Sequence, residues 1–206
     1  FVDRLSKVTD GQDHPDASSA GSSRDFLFEL LIAARMSLSG YKIDFNKVTD
    51  VVAEDDEFLV FGECKRLSSE KKFEENFKKA GKQIIAKAAG MSQRVYGLVF
   101  LDVSSCLDGI PKMELPNVEA AQRAIHESLE AFVARKKKKI EQLAERFSES
   151  SLGVCLIGQI PIWTRDGTLY IAARTRVVAS QSLSDEDFNS LNKILGRFSS
   201  SMLSLV

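Results

Sequence analysis

Apolar positions change their period several times along this chain, and each change marks an element. Leu27, Leu30, Leu31 and Ala34 recur at helical spacing, which predicts a helix over 24–38 with Ser23 as its N-cap and Gly40 as its stop. Three strand-like runs follow, Tyr41 to Phe45, Val48 to Ala53 and Phe58 to Arg66, the last two separated by the acidic turn Glu54-Asp55-Asp56-Glu57. Helical spacing returns from Ser69 to about Ala89, and Val95 to Val103 is an apolar run long enough only for a buried strand. Pro116 and Asn117 open a helical segment that reaches Phe147. At ~1.5 Å per residue such a helix exceeds ~40 Å, so it is expected either to break or to project beyond the core. Val154 to Trp163 and Leu169 to Ala179 then flank Arg165-Asp166-Gly167-Thr168, whose Asp-Gly pair signals a hairpin, and a helix from Asp185 to Leu205 closes the chain.

The order of elements places the chain in the α/β class, and 206 residues suffice for one good-sized core with an appended subdomain. Residues 1–23, rich in Ser, Gly, Asp and His from Asp10 onward, read as an N-terminal arm or linker. The core is expected over 24–110, and a helix, hairpin and helix extension packed on it over 111–206. No internal repeat is visible. The chain opens on Phe1 and not Met, so it is expected to be a piece of a longer protein with partner domains outside it.

Composition narrows the chemistry. The formal net charge is -1, which argues against a protein that coats nucleic acid by charge alone, so any such binding must use local basic patches. The longest apolar stretches are too short for a membrane span. Cys64, Cys106 and Cys155 are well separated within or beside apolar runs, a pattern suited to buried thiols in a reducing cytoplasm. His14 and His126 are the two histidines, and no Cys/His zinc spacing exists. Any metal should therefore be a hard cation held by carboxylates.

Strand alternation from Phe58 to Arg66 puts Leu59, Phe61, Glu63 and Lys65 on one face, and Phe58, Val60, Gly62 and Cys64 on the other. Both faces begin apolar, which predicts a central strand carrying an acid and a base at the edge of a core. Unpaired charges there cost several kcal/mol (about 3–5) unless a partner or metal compensates. The preceding run repeats the anomaly with Asp50. If the two runs form a hairpin around Asp56 and Glu57, Asp50 falls opposite Glu63, with Cβ atoms about 5 Å apart. Two carboxylates so close call for a divalent cation between them, and Mg²⁺ suits a partial oxygen cage that keeps several waters.

An acid followed by an acid-x-Lys triplet, here Asp50 and Glu63-Cys64-Lys65, resembles the PD-(D/E)XK nuclease superfamily, nearest to its Mrr-like and Holliday-junction-resolvase-like members. Thr49 stands where that family often has Pro. The likeness covers about 24–103 and rests on the whole order helix, three strands, helix, strand. It implies a restriction-endonuclease-like core, a central mixed β-sheet flanked by helices. It also implies metal-dependent hydrolysis of phosphodiester bonds in nucleic acid, with double-stranded DNA as the expected partner and endonuclease action in restriction, phage defence, recombination or repair. In this reading Asp50, Glu63 and the Cys64 backbone carbonyl hold Mg²⁺ or Mn²⁺, and Glu29 on the first helix assists through water or a second ion. Lys65 positions the attacking water or steadies developing charge, and Gln83 orients Lys65 or a phosphate.

From Lys65 to Lys87 there are eight Lys or Arg against three Glu. Lys79, Lys82 and Lys87 at helical spacing, together with Arg66, are therefore candidates to meet phosphates. Against these readings stand blander ones. Asp50, Glu63 and Lys65 would also suit a structural ion-pair network, Glu29 a solvated helix acid, and Gln83 an exposed polar position. Arg135 to Lys139 reads as a solvated helix before it reads as a DNA track. His14-Pro15-Asp16 lacks a following acid-x-Lys and reads as linker; His126, Trp163 and Tyr170 read as structural. The functional rival is a catalytically inactive nuclease-fold module that binds nucleic acid or assembles a larger complex. A homodimer would present two sites to two strands, with 117–147 as its candidate surface.

Overall fold

The computed structural model describes residues 21–44, 49–108, 117–163 and 169–200. Residues 1–20 of the arm expected over 1–23, with His14, the Arg165–Thr168 turn and the expected end of the last helix at Leu205 lie outside them.

Helix α1, Gly21–Leu38, starts earlier than the sequence pattern suggests, because nothing between Gly21 and Arg24 breaks a first turn; Ser23 thus lies inside the helix and is not its N-cap. Its end is the expected one. Gly40 takes a φ of 93°, its N–H reaches the Ser37 carbonyl at 3.0 Å, and the Tyr41 N–H reaches Met36 at 3.1 Å. This reverse turn satisfies the last carbonyls and requires the left-handed backbone glycine allows.

Strands β1 (Lys42–Asp44), β2 (Val51–Glu54) and β3 (Leu59–Arg66) follow, then a single 3₁₀ turn at Glu70–Lys72 and helix α2 (Phe73–Ala88). Strand β4 (Tyr96–Asp102), helix α3 (Val118–Arg146), strands β5 (Gly153–Trp163) and β6 (Leu169–Ala179), and helix α4 (Asp185–Ser200) complete the described chain. All six strands form one mixed sheet in sequence order. β1, β2 and β3 are antiparallel neighbours, β3, β4 and β5 run parallel, and β6 returns antiparallel to β5. Parallel neighbours need crossover connections, and α2 and α3 supply them. The expected C-terminal extension therefore continues the same sheet through β5.

Alternation along β4 builds the two halves of the core. Leu98 and Phe100 face α1 and α4, where they join Ile32, Met36, Ile194 and Phe198. Val99 and Leu101 face α2 and α3, where they join Phe77, Ile84, Phe132 and Leu143. The backbone comes closest at Gly97, whose carbonyl takes the Leu152 N–H at 2.8 Å; a Cβ there would land on the Ser150 carbonyl oxygen.

The long helix α3 does not break over its 29 residues, and Asn117 caps it by accepting the Ala120 N–H at 2.8 Å. Only Gly153–Ile157 of β5 pairs with β4, so the rest of the hairpin runs past the end of β4. Ala121 and Ile125 of α3 accompany it by packing on Ala172. At ~3.3 Å per residue an 11-residue strand spans about 36 Å, which supports the helix along most of its length. At the other end of the sheet, Lys193 and Arg197 of α4 pair with Glu57 and Asp55 of the acidic turn.

Candidate metal centre at the end of the parallel strands

The β2–β3 register pairs Val51 with Gly62 and Val52 with Phe61, and its continuation sets Asp50 across from Glu63, as the sequence suggested. Asp50 lies in the bend just before β2, where the Thr49 hydroxyl donates to the Val51 carbonyl at 2.7 Å. The Cys64 N–H donates to Asp50 Oδ2 at 2.9 Å. Below these charges on the same face of β2 and β3, Val52, Leu59 and Phe61 form a small apolar cluster.

Three oxygens converge on the Lys65 ammonium. Nζ lies 3.0 Å from Asp50 Oδ2, 3.1 Å from Glu63 Oε2 and 3.0 Å from the Cys64 carbonyl oxygen. The second Glu63 oxygen, Oε1, accepts from Lys87 Nζ of α2 at 2.5 Å. Glu63 is fully buried, whereas the Lys65 and Lys87 side chains are 15% and 14% exposed. Two carboxylates thus meet two ammoniums. Burial pushes the Glu63 carboxyl above its ordinary value, against the pull of Lys87 and Lys65. Burial also works against the charge on Lys65, but Asp50 and Glu63 outweigh it and hold the ammonium above the ordinary lysine range.

Does this set suit a metal ion? Among the described residues no three Asp, Glu, His or Cys side chains gather as a metal-binding group. The convergence at Lys65 has two carboxylate oxygens and one main-chain carbonyl. That is a hard, oxygen-only donor set with room left for water, which suits Mg²⁺ or Mn²⁺. The donor chemistry fits such an ion, and in this structure the Lys65 ammonium occupies the point that the three oxygens share.

Other expected residues fall at varying distances from this point. Gln83, one turn before Lys87 on α2, buries its side-chain oxygen with no hydrogen-bond partner. Glu29 is half-buried on α1 and is among the charges that, after burial itself and Asp50, push the fully buried Cys64 thiol well up. Arg66 is held by Asp102, Nε to Oδ2 at 3.1 Å, with Asp25 at 3.6 Å. Lys79 and Lys82 are exposed on α2, whereas Lys87 turns inward to Glu63. The basic run on α3 is matched by acids: Arg135 and Lys136 meet Glu70 at 2.6 and 2.9 Å, and Lys139 meets Glu74 at 2.8 Å. His126 is exposed, and the side chains of Trp163 and Tyr170 lie outside those described.

Sequence reading missed two neighbours, Asp25 and Asp102, and the partner of a third residue, Lys87. Asp25, one turn before Glu29, has a side chain 56% exposed; partial desolvation raises its carboxyl against the pull of Arg66 and Lys65, with Asp102 and Asp50 adding to the rise. The i, i+4 spacing to Glu29 was the available signal. Asp102 ends an apolar strand and accepts the Ser104 N–H at 2.9 Å. Lys87 pairs with Glu63 across 24 residues, a partnership no local pattern announces. No helix among the described residues is long and apolar enough to cross a membrane. Comparison of the chain with protein-family models, with curated proteins and with solved structures finds no match in any of the three.

Proposed function

We propose that this chain is a metal-dependent nuclease of the PD-(D/E)XK type, hydrolysing phosphodiester bonds in DNA. The observation that carries the reading is the convergence of Asp50 Oδ2, Glu63 Oε2 and the Cys64 carbonyl on one cationic point, within 3.0–3.1 Å of Lys65 Nζ. The order helix, three antiparallel strands, helix, parallel strand supports it, since that order brings the acid, the acid-x-Lys strand and a basic helix to one place. A restriction-endonuclease-like core is part of the proposal.

Mg²⁺ or Mn²⁺ bound by those oxygens would supply Lewis acidity toward a phosphate oxygen and toward a water of lowered pKa. The protein's own groups do the rest. Lys65, released from its three acceptors, holds the attacking water or the developing negative charge. Gln83 offers its unpartnered oxygen to that water or ammonium, and Glu29 and Asp25 add carboxylates on α1. Lys79 and Lys82 extend the cationic surface along the backbone of the substrate, which makes binding salt-dependent. Two carboxylates and two ammoniums sum to zero, so a divalent ion held there would leave the centre net positive toward a phosphodiester.

The test is cleavage of supercoiled and linear DNA with Mg²⁺ or Mn²⁺, comparing the chain with Asp50→Ala and with an EDTA blank. Cutting that disappears in both controls is expected. A second reading, a non-catalytic nuclease-fold module, is favoured by one observation: both acids are already neutralised by lysines, so the centre is satisfied without metal. Absence of cutting together with absence of metal binding by calorimetry would select that reading.

A further inference from the structure

Lys65 and Lys87 hold Glu63 in different ways. Lys65 bonds three oxygens that a cation would share, so cation entry displaces its ammonium. Among the described residues Lys87 has one acceptor, Glu63 Oε1, on the side of the carboxylate turned away from Lys65. Lys87 also sits on a fixed element, because Ala80 and Ile84 of α2 are fully buried in the core shared with Val99 and Leu101 of β4. A cation at the Lys65 position therefore leaves the Lys87 contact in place, and Glu63, fully buried and held at Oε1, offers it Oε2.

We propose that Lys87 is a positioning residue that confines Glu63 to a single ligand oxygen, so that the centre takes one small divalent cation and discriminates against Ca²⁺. The inference rests on the metal centre proposed above. Mg²⁺ accepts one oxygen from a carboxylate and keeps its waters, whereas Ca²⁺ gathers more ligands and uses both oxygens of a carboxylate readily. The Lys87 charge also repels a second ion from the outer side of Glu63, where a two-metal site would need one.

Calorimetric titration with MnCl₂, MgCl₂ and CaCl₂, carried out on the unaltered chain, Lys87→Met and Lys87→Arg, tests this without reference to cleavage. The unaltered chain is expected to bind a single Mn²⁺. Lys87→Met is expected to raise the affinity for Ca²⁺ relative to Mg²⁺ by about tenfold, and Lys87→Arg to keep the original ratio. An unchanged ratio in Lys87→Met, or two Mn²⁺ bound by the unaltered chain, overturns the role of Lys87 and leaves the metal centre standing. No ion bound by the folded, unaltered chain overturns both. Should Lys87→Met not fold, Mn²⁺ electron paramagnetic resonance of the unaltered chain decides between one isolated ion, which sustains the proposal, and a coupled pair, which defeats it.

Discussion

Replacing Lys65 by Met separates a metal centre from a structural ion-pair network, because the two make opposite predictions about divalent ions. The substitution keeps the apolar stem and removes the ammonium that sits between Asp50, Glu63 and the Cys64 carbonyl. Removing one partner from a fully buried pair costs about 3–5 kcal/mol. Here Glu63 keeps Lys87, and Asp50 is 21% exposed, so about 2–3 kcal/mol is the better figure. For a domain of this size each kcal/mol moves Tm by about 2–4 °C, which gives a drop of roughly 5–10 °C in EDTA. With Mg²⁺ at about a hundred times its Kd, binding returns about 2.7 kcal/mol and restores most of the loss. The unaltered chain should gain less, since its ammonium competes for the same oxygens. Thermal unfolding in EDTA and in Mg²⁺, followed by circular dichroism, reads both effects, and the variant should not cut DNA under either condition. Equal Tm values in EDTA, or an equal rise with Mg²⁺ in both proteins, would refute the argument.

Lys79→Glu combined with Lys82→Glu should weaken DNA binding at every sequence and reduce the slope of log affinity against log salt by about 2, as measured by fluorescence anisotropy across a salt series. Stability should also depend on acid through Glu74, which Lys139 and Lys78 hold down to about 2 from 4.5. A carboxylate with a depressed folded pKa stabilises above its unfolded value and loses that contribution as pH falls through the folded one. Tm should therefore decline between pH 4.5 and about 2, and Glu74→Gln should flatten that limb, more visibly at low salt because the side chain is 40% exposed.

Much of the centre was legible because strands have a period of two. Counting outward from the Asp56-Glu57 turn sufficed to set Asp50 across from Glu63, and alternation alone put Lys65 beside Glu63. The helices were legible as amphipathic stretches, to within a few residues at those ends that are described, except that Gly21 to Ser23 continue the first helix where a cap was expected. What escaped was determined by packing between elements distant in sequence. Lys87 has the same helical spacing as Lys79 and Lys82, but the depth of α2 against β4 turns it toward a buried carboxylate while the other two stay in water. Likewise nothing in 117–147 shows that a parallel strand follows it, so the continuity of the sheet through β5 was not readable, and neither was the support that the overhanging hairpin gives to α3.

The sheet's sequence order bears on how the chain folds. Every strand from β2 to β6 pairs with the strand made just before it, so the sheet can grow by accretion as the polypeptide emerges, without a late strand having to insert between two earlier ones. The costly closure is the one that brings Gly153 to Leu98 across α3, a separation of 55 residues. Asp50, Glu63, Lys65 and Lys87 all precede it. The charged quartet thus lies wholly within the stretch of chain made before that closure, and its contacts need neither the hairpin nor α4.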